Sequence, residues 1–75
     1  MNLSHLRYFV QLAKTGHYTR TAEQLYITQP SLSHAISQLE HELGVPLFEK
    51  ATRGVTLSPA ASSFRDYVLS QSPFL

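Results

Sequence analysis

The side chains best arranged for close-range polar chemistry lie in the stretch the chain is organised around, TQPSLSHAISQLEHELG at residues 28–44. Pro30, Ser33, His34, Ser37, Gln38 and His41 recur at steps that place them on one side of a helix. Hydroxyl, amide and imidazole groups both donate and accept hydrogen bonds, so this side suits a polar surface approached closely. Catalysis fits the pattern poorly. The run HELGV at 41–45 begins like the zinc-protease motif HExxH, but Val45 stands where the second histidine is required. The serines have no suitably spaced histidine–acid partners that would make one a nucleophile. Cysteine is absent, which excludes disulfides and thiolate zinc sites. The expectation is a binding domain without enzyme activity, cofactor or metal.

These side chains need a helix with one buried face. Leu32, Ile36, Leu39 and Leu43 supply it, at steps of four, three and four that confine them to an arc of about 60°. Thr28 is an N-cap candidate and Pro30 falls in the first turn, where a missing N–H costs nothing. Gly44 follows as a terminator and Pro46 prevents continuation. Upstream, Asn2 or Ser4 caps a first helix with an apolar stripe of Leu3, Leu6, Phe9, Val10 and Ala13, ended at Thr15-Gly16. Thr19 is a second N-cap candidate, and TRTAEQLY reads as a short helix turning Ala22, Leu25 and Ile27 inward. A short helix, a tight connection and a longer helix with a polar outer face make a helix-turn-helix candidate.

Downstream, Leu47-Phe48-Glu49-Lys50 and Val55-Thr56-Leu57 have strand composition, and Gly54 can supply the positive φ of a hairpin turn. They form a small wing with Arg53 near its tip. Ser58-Pro59 repeats the cap-plus-proline signal and opens a fourth helix over 59–70, marked by Ala60, Ala61, Phe64, Tyr67, Val68 and Gln71. Ser72-Pro73 ends it, leaving Phe74 and Leu75 as an apolar tail.

Seventy-five residues with 43% hydrophobic content allow one small domain with a modest core. No continuous apolar run suggests a signal peptide or a membrane span, and a cytoplasmic location is expected. A formal charge of +1 is low for a nucleic-acid binder, so placement matters more than total. Glu40, Glu42 and Glu49 lie at and beyond the end of the central helix. Its first half is free of acid and suited to a phosphate-rich surface.

The run RYFVQLAKTGHYTRTAEQLYITQPSLSHAISQLEHELGVPLFEKATRGVTLSPA resembles the N-terminal DNA-binding domain of LysR-type transcriptional regulators. The resemblance spans residues 2–70 and rests on the RYF opening, QPSLS, the QLE-ELG-PLF run and RG-x-x-L-S-P-A. It implies a mainly α winged helix-turn-helix: a three-helix core, a two-stranded β-wing and a fourth linker helix. It divides the chain into a DNA-binding part, 1–57, and a linker or dimerisation helix with a short tail, 58–75. The implied partners are double-stranded DNA, with the recognition helix in the major groove and the wing in the minor groove, and a second copy of the chain. Dimerisation is expected through Phe64, Tyr67 and Val68 of the fourth helix. The family's ligand-sensing domain is absent from these residues. His34 stands where the family often carries arginine, Ala35 and Ser37 where a basic or amide pair is common, and Ala61 where glycine is usual.

The residues expected at DNA are Thr19 and Arg20, then Thr28, Gln29, Pro30, Ser31, Ser33, His34 and Ser37, and Arg53. Gln29 can pair bidentately with adenine, and Ser33 can donate or accept at a base edge or a phosphate. Pro30 suits a thymine methyl, His34 can donate to guanine or phosphate, and Arg53 suits a narrow minor groove. Each has a plainer reading: Ser33 and Ser37 as solvated surface, Arg53 as a loop charge, Gln29 as support for a helix start. The rival function is a winged helix used for protein association, with weak or no DNA binding.

Overall fold

The structure, a computed structural model, describes residues 2–71. Four helices and a hairpin follow in the order α1 (Leu3–Thr15), α2 (Tyr18–Leu25), α3 (Gln29–Leu43), β1 (Phe48–Ala51), β2 (Gly54–Leu57) and α4 (Pro59–Ser70). This is the mainly α winged helix-turn-helix that the sequence implies. Local chemistry sets the three longer helices. Asn2, rather than Ser4, caps α1 by accepting the Ser4 N–H at 2.7 Å. Thr28 caps α3 through the Ser31 N–H at 3.1 Å, and Ser58 caps α4 through the Ala61 N–H at 3.2 Å. A cap of this kind contributes about 1 kcal/mol.

The second helix departs from expectation. It begins at Tyr18, with His17 in the cap position and no side-chain cap bond, so Thr19 lies inside the first turn. It also stops before Tyr26, which takes φ 58° and gives its N–H to the carbonyls of Ala22 and Glu23. An L-residue in that left-handed conformation costs about 1–2 kcal/mol. Nothing in the local sequence of an aromatic residue announces it.

The core forms where α1 packs against α2, α3 and α4. Leu32, Ala35, Ile36 and Leu39 of α3 are at most 2% exposed. The larger three contribute about 1.5–3 kcal/mol each by burial. In α1 the inward stripe is shifted: Leu12 is fully buried, while Leu3 is 45% exposed. With partners on several sides, α1 buries a wider face than one stripe would.

Phe64 and Val68 correct the dimer expectation. Val68 is buried, and the Phe64 ring sits 5.2 Å from that of Phe9. Val68 belongs to the chain's own core, and Phe64, half-buried, packs against it. Tyr67 is 65% exposed, beside exposed Ala60 and Ser63 on the outer face of α4. The Ser72-Pro73 stop and the apolar Phe74 and Leu75 lie outside the described residues. Among those described, no helix is long and apolar enough to cross a membrane.

Two strands alone are marginal in water, so the wing needs support. The strands pair antiparallel from Phe48↔Leu57 to Ala51↔Gly54, one residue later than the expected start at Leu47. Leu47 instead is fully buried below the hairpin. Its N–H donates to Glu40 Oε2 at 2.8 Å and its carbonyl accepts from Ser58 N at 2.9 Å. The Ser58 hydroxyl donates to the Pro46 carbonyl at 2.6 Å. On the other side, Val55 N–H donates to the Gly16 carbonyl at 2.8 Å, and the Phe48 ring lies 5.6 Å from Phe9.

Candidate nucleic-acid interface

With Leu32, Ile36 and Leu39 committed inward, the helix period leaves the opposite side of α3 to solvent. Pro30, Ser33, His34, Ser37, Gln38 and His41 are all exposed there. Ala35 is not on this face. It is 2% exposed, so its small size serves the core and takes no polar contact away from the outer surface.

At the N-terminal end of α3 the polar groups are tied to one another. Thr28 Oγ1 accepts the Ser31 N–H and donates to Ser31 Oγ at 2.9 Å. The Thr19 hydroxyl donates to Gln29 Oε1 at 3.1 Å, joining the first turns of α2 and α3. No pattern in the sequence pointed to that bond, because its ends lie on different helices. Arg20 is exposed on the same turn as Thr19. Among the described residues, the side chains of Ser33, His34, Ser37 and Arg53 make no hydrogen bond, so their polar groups face water or a ligand.

Arg53 occupies the hairpin turn with Thr52, and both are exposed. Gly54 carries φ 92°, as the turn chemistry requires. A Cβ on Gly54 would stand 2.0 Å from the Gly16 carbonyl oxygen and 2.8 Å from His17 Nδ1. The base of the turn thus lies directly on the connection between α1 and α2. Behind α3, burial pushes the Tyr18 hydroxyl above its ordinary range, with the Glu40 carboxylate adding to the effect.

A helix-turn-helix with a braced wing is a geometry that known proteins share. Residues 3–62 match the family model of bacterial regulatory helix-turn-helix proteins, lysR family. The chain belongs to the LysR family. This LysR-type domain is 52% identical over 64 residues to the transcriptional regulator BudR of Klebsiella aerogenes, covering 85% of the chain and 45% of BudR. It is 42% identical over 69 residues to BenM of Acinetobacter baylyi, covering 92% of the chain and 23% of BenM. The chain therefore spans less than half the length of these curated relatives. The BenM DNA-binding domain solved with benA site 1 DNA superposes with a TM-score of 0.90 at 40% identity, covering 97% of this chain and 82% of that one. The CbnR DNA-binding domain solved with DNA gives 0.90 at 30% identity, covering 97% of this chain and 84% of that one.

Proposed function

We propose that this LysR-type domain binds double-stranded DNA sequence-specifically as part of a bacterial transcription regulator in the cytoplasm. In this reading α3 enters the major groove through Gln29, Pro30, Ser33, His34 and Ser37. Thr28, Ser31, Arg20 and the start of α2 meet the flanking phosphates, and Arg53 enters the minor groove. Residues up to 57 carry recognition, and α4 links two copies. The observation that carries the proposal is the outer face of α3, polar and exposed from Pro30 to His41 over a fully apolar inner face. The two superposable domains solved with DNA support it.

A pairing of two copies is part of this reading, and the size of the chain supports it. The chain measures 25 × 25 × 20 Å, while half-sites one DNA turn apart are separated by roughly 34 Å. One copy presents one α3, so two half-sites require two copies. The outer face of α4, with Tyr67 among small neighbours, is the surface proposed for their contact.

Gel shifts on mixed-sequence DNA between about 50 and 200 mM salt provide the test, since each phosphate neutralised adds about one to the log–log salt slope. Arg53→Ala is expected to lower affinity on all sequences and reduce the slope by about one. His34→Arg, which adds a permanent charge, is expected to raise affinity and increase the slope. Salt-independent or absent binding by the wild type would instead favour the protein-association function.

A further inference from the structure

His17 joins α1 to α2 and also touches the wing. It holds the N-cap position of α2 with an extended backbone, yet its side chain caps nothing. A serine, threonine, aspartate or asparagine there would accept a first-turn N–H. The imidazole lies against the hairpin instead. A Cβ on Gly54 would stand 2.8 Å from His17 Nδ1 and 3.1 Å from its Cε1, so the ring is in van der Waals reach of the Gly54 backbone. His17 is half-buried, and among the described residues its imidazole makes no hydrogen bond. The backbone beneath the ring is fixed from both helices. His17 N–H donates to Thr15 Oγ1 of α1 at 3.2 Å, and its carbonyl accepts from Thr21 N of α2 at 3.0 Å. The two threonine hydroxyls are paired with each other, and Thr21 is fully buried. The supports of the wing divide by position. Leu47 and Phe48 hold its root, and Val55 N–H ties the second strand to Gly16. At the turn, Gly54 meets the Gly16 carbonyl oxygen and the His17 ring, and Arg53 is its neighbour in the chain.

We propose that His17 is a positioning residue for the wing, its ring propping the turn so that Arg53 is held in place relative to the start of α2. The proposal rests on the DNA-binding function above, in which Arg53 enters the minor groove while Arg20 and the start of α2 meet phosphates. Those contacts fall on different parts of the duplex and have to be made together. An arginine on a loose turn gives up backbone freedom when it binds. On a propped turn that freedom is already gone, so the same contact yields more affinity. The ring acts through shape, by occupying the space beneath Gly54, and needs neither a proton nor a hydrogen bond to do so. The residue at the cap position of α2 serves the wing rather than the helix.

A double-mutant cycle between His17 and Arg53 tests this, read by gel shifts on mixed-sequence duplex DNA at about 50 mM salt. His17→Ser removes the ring and supplies a capping hydroxyl, so its melting temperature should stay near that of the wild type. Its affinity should fall. Arg53→Ala should then cost less in the His17→Ser background than in the wild type, by a factor of about three or more. His17→Thr, a second capping residue without a ring, should repeat that result. His17→Phe keeps a planar ring with no donor or acceptor, and should restore both the affinity and the full effect of Arg53→Ala. The proposal is overturned if Arg53→Ala costs the same with and without the ring, since the turn is then held by other contacts. It is overturned equally if His17→Phe binds as weakly as His17→Ser, which would make the imidazole nitrogens a DNA contact in their own right. An Arg53→Ala change that costs nothing in the wild type overturns the wing's place in the minor groove. That result is distinct from an Arg53 that matters and ignores His17.

Discussion

Tyr18 opens α2 half-buried, with its hydroxyl held above its ordinary range by burial and then by Glu40. The folded chain therefore keeps the phenolic proton more tightly than the unfolded chain does. The stability tied to that proton is complete below the unfolded tyrosine value, about 10, and is lost as pH rises through the folded one. Thermal melts between about pH 9 and 11 should accordingly show a shallower alkaline decline for Tyr18→Phe than for wild type. Equal declines would place the alkaline sensitivity elsewhere. At this scale the sequence was legible where chemistry is local. Thr28, Pro30 and Gly44 announce the ends of α3 because a cap acts within three or four residues. The Thr19–Gln29 bond was not, since it depends on where a second helix lies.

Gly44 and Gly54 separate two reasons for glycine at the scale of the element. Both have positive φ, 73° and 92°. Around Gly44 there is open space, whereas a Cβ on Gly54 would meet the Gly16 carbonyl oxygen at 2.0 Å. Gly44→Ala should therefore cost only the conformational preference, about 1 kcal/mol. Gly54→Ala also forces backbone from backbone and should cost at least about 2 kcal/mol more, as measured by urea unfolding. Similar costs at the two positions would mean that the wing lifts off Gly16 without penalty. The hairpin and its glycine were readable from composition. The surface it rests on was not, because Gly16 and Val55 are far apart along the chain. The shift of α2 to Tyr18 has a similar cause: the helix starts without a side-chain cap, so its first residue carries no signature.

In the molecule as a whole, α4 helps close the chain's own core and is the helix proposed to meet a second copy. An apolar stripe at helical spacing says that a face is covered but not by what, and Phe64 and Val68 were assigned to a partner although this chain buries Val68 and packs Phe64 against its own core. Tyr67 now provides the discriminating substitution. Tyr67→Glu should leave the melting temperature near wild type and weaken binding to DNA with two half-sites far more than to a single half-site. Val68→Glu should unfold the domain, because it places an unpaired charge in the core. Equal losses by Tyr67→Glu on both DNAs would remove α4 from the contact between copies.

The tie between Val55 and Gly16 also governs the order in which the molecule comes apart. An amide beside a hairpin turn ordinarily swaps its hydrogen for deuterium quickly, as the turn frays. The Val55 amide points away from β1 and is spent on the turn after α1. Solvent reaches it only when hairpin and helix separate, a step that also parts Phe48 from Phe9. In hydrogen-exchange NMR, Val55 should keep pace with the slow amides of α1 and lag far behind Thr52 and Arg53. If it exchanged as fast as the tip, the wing would be a flap that opens by itself. Protected, it is a branch of the first helix, and the hairpin is released only when that helix begins to let go.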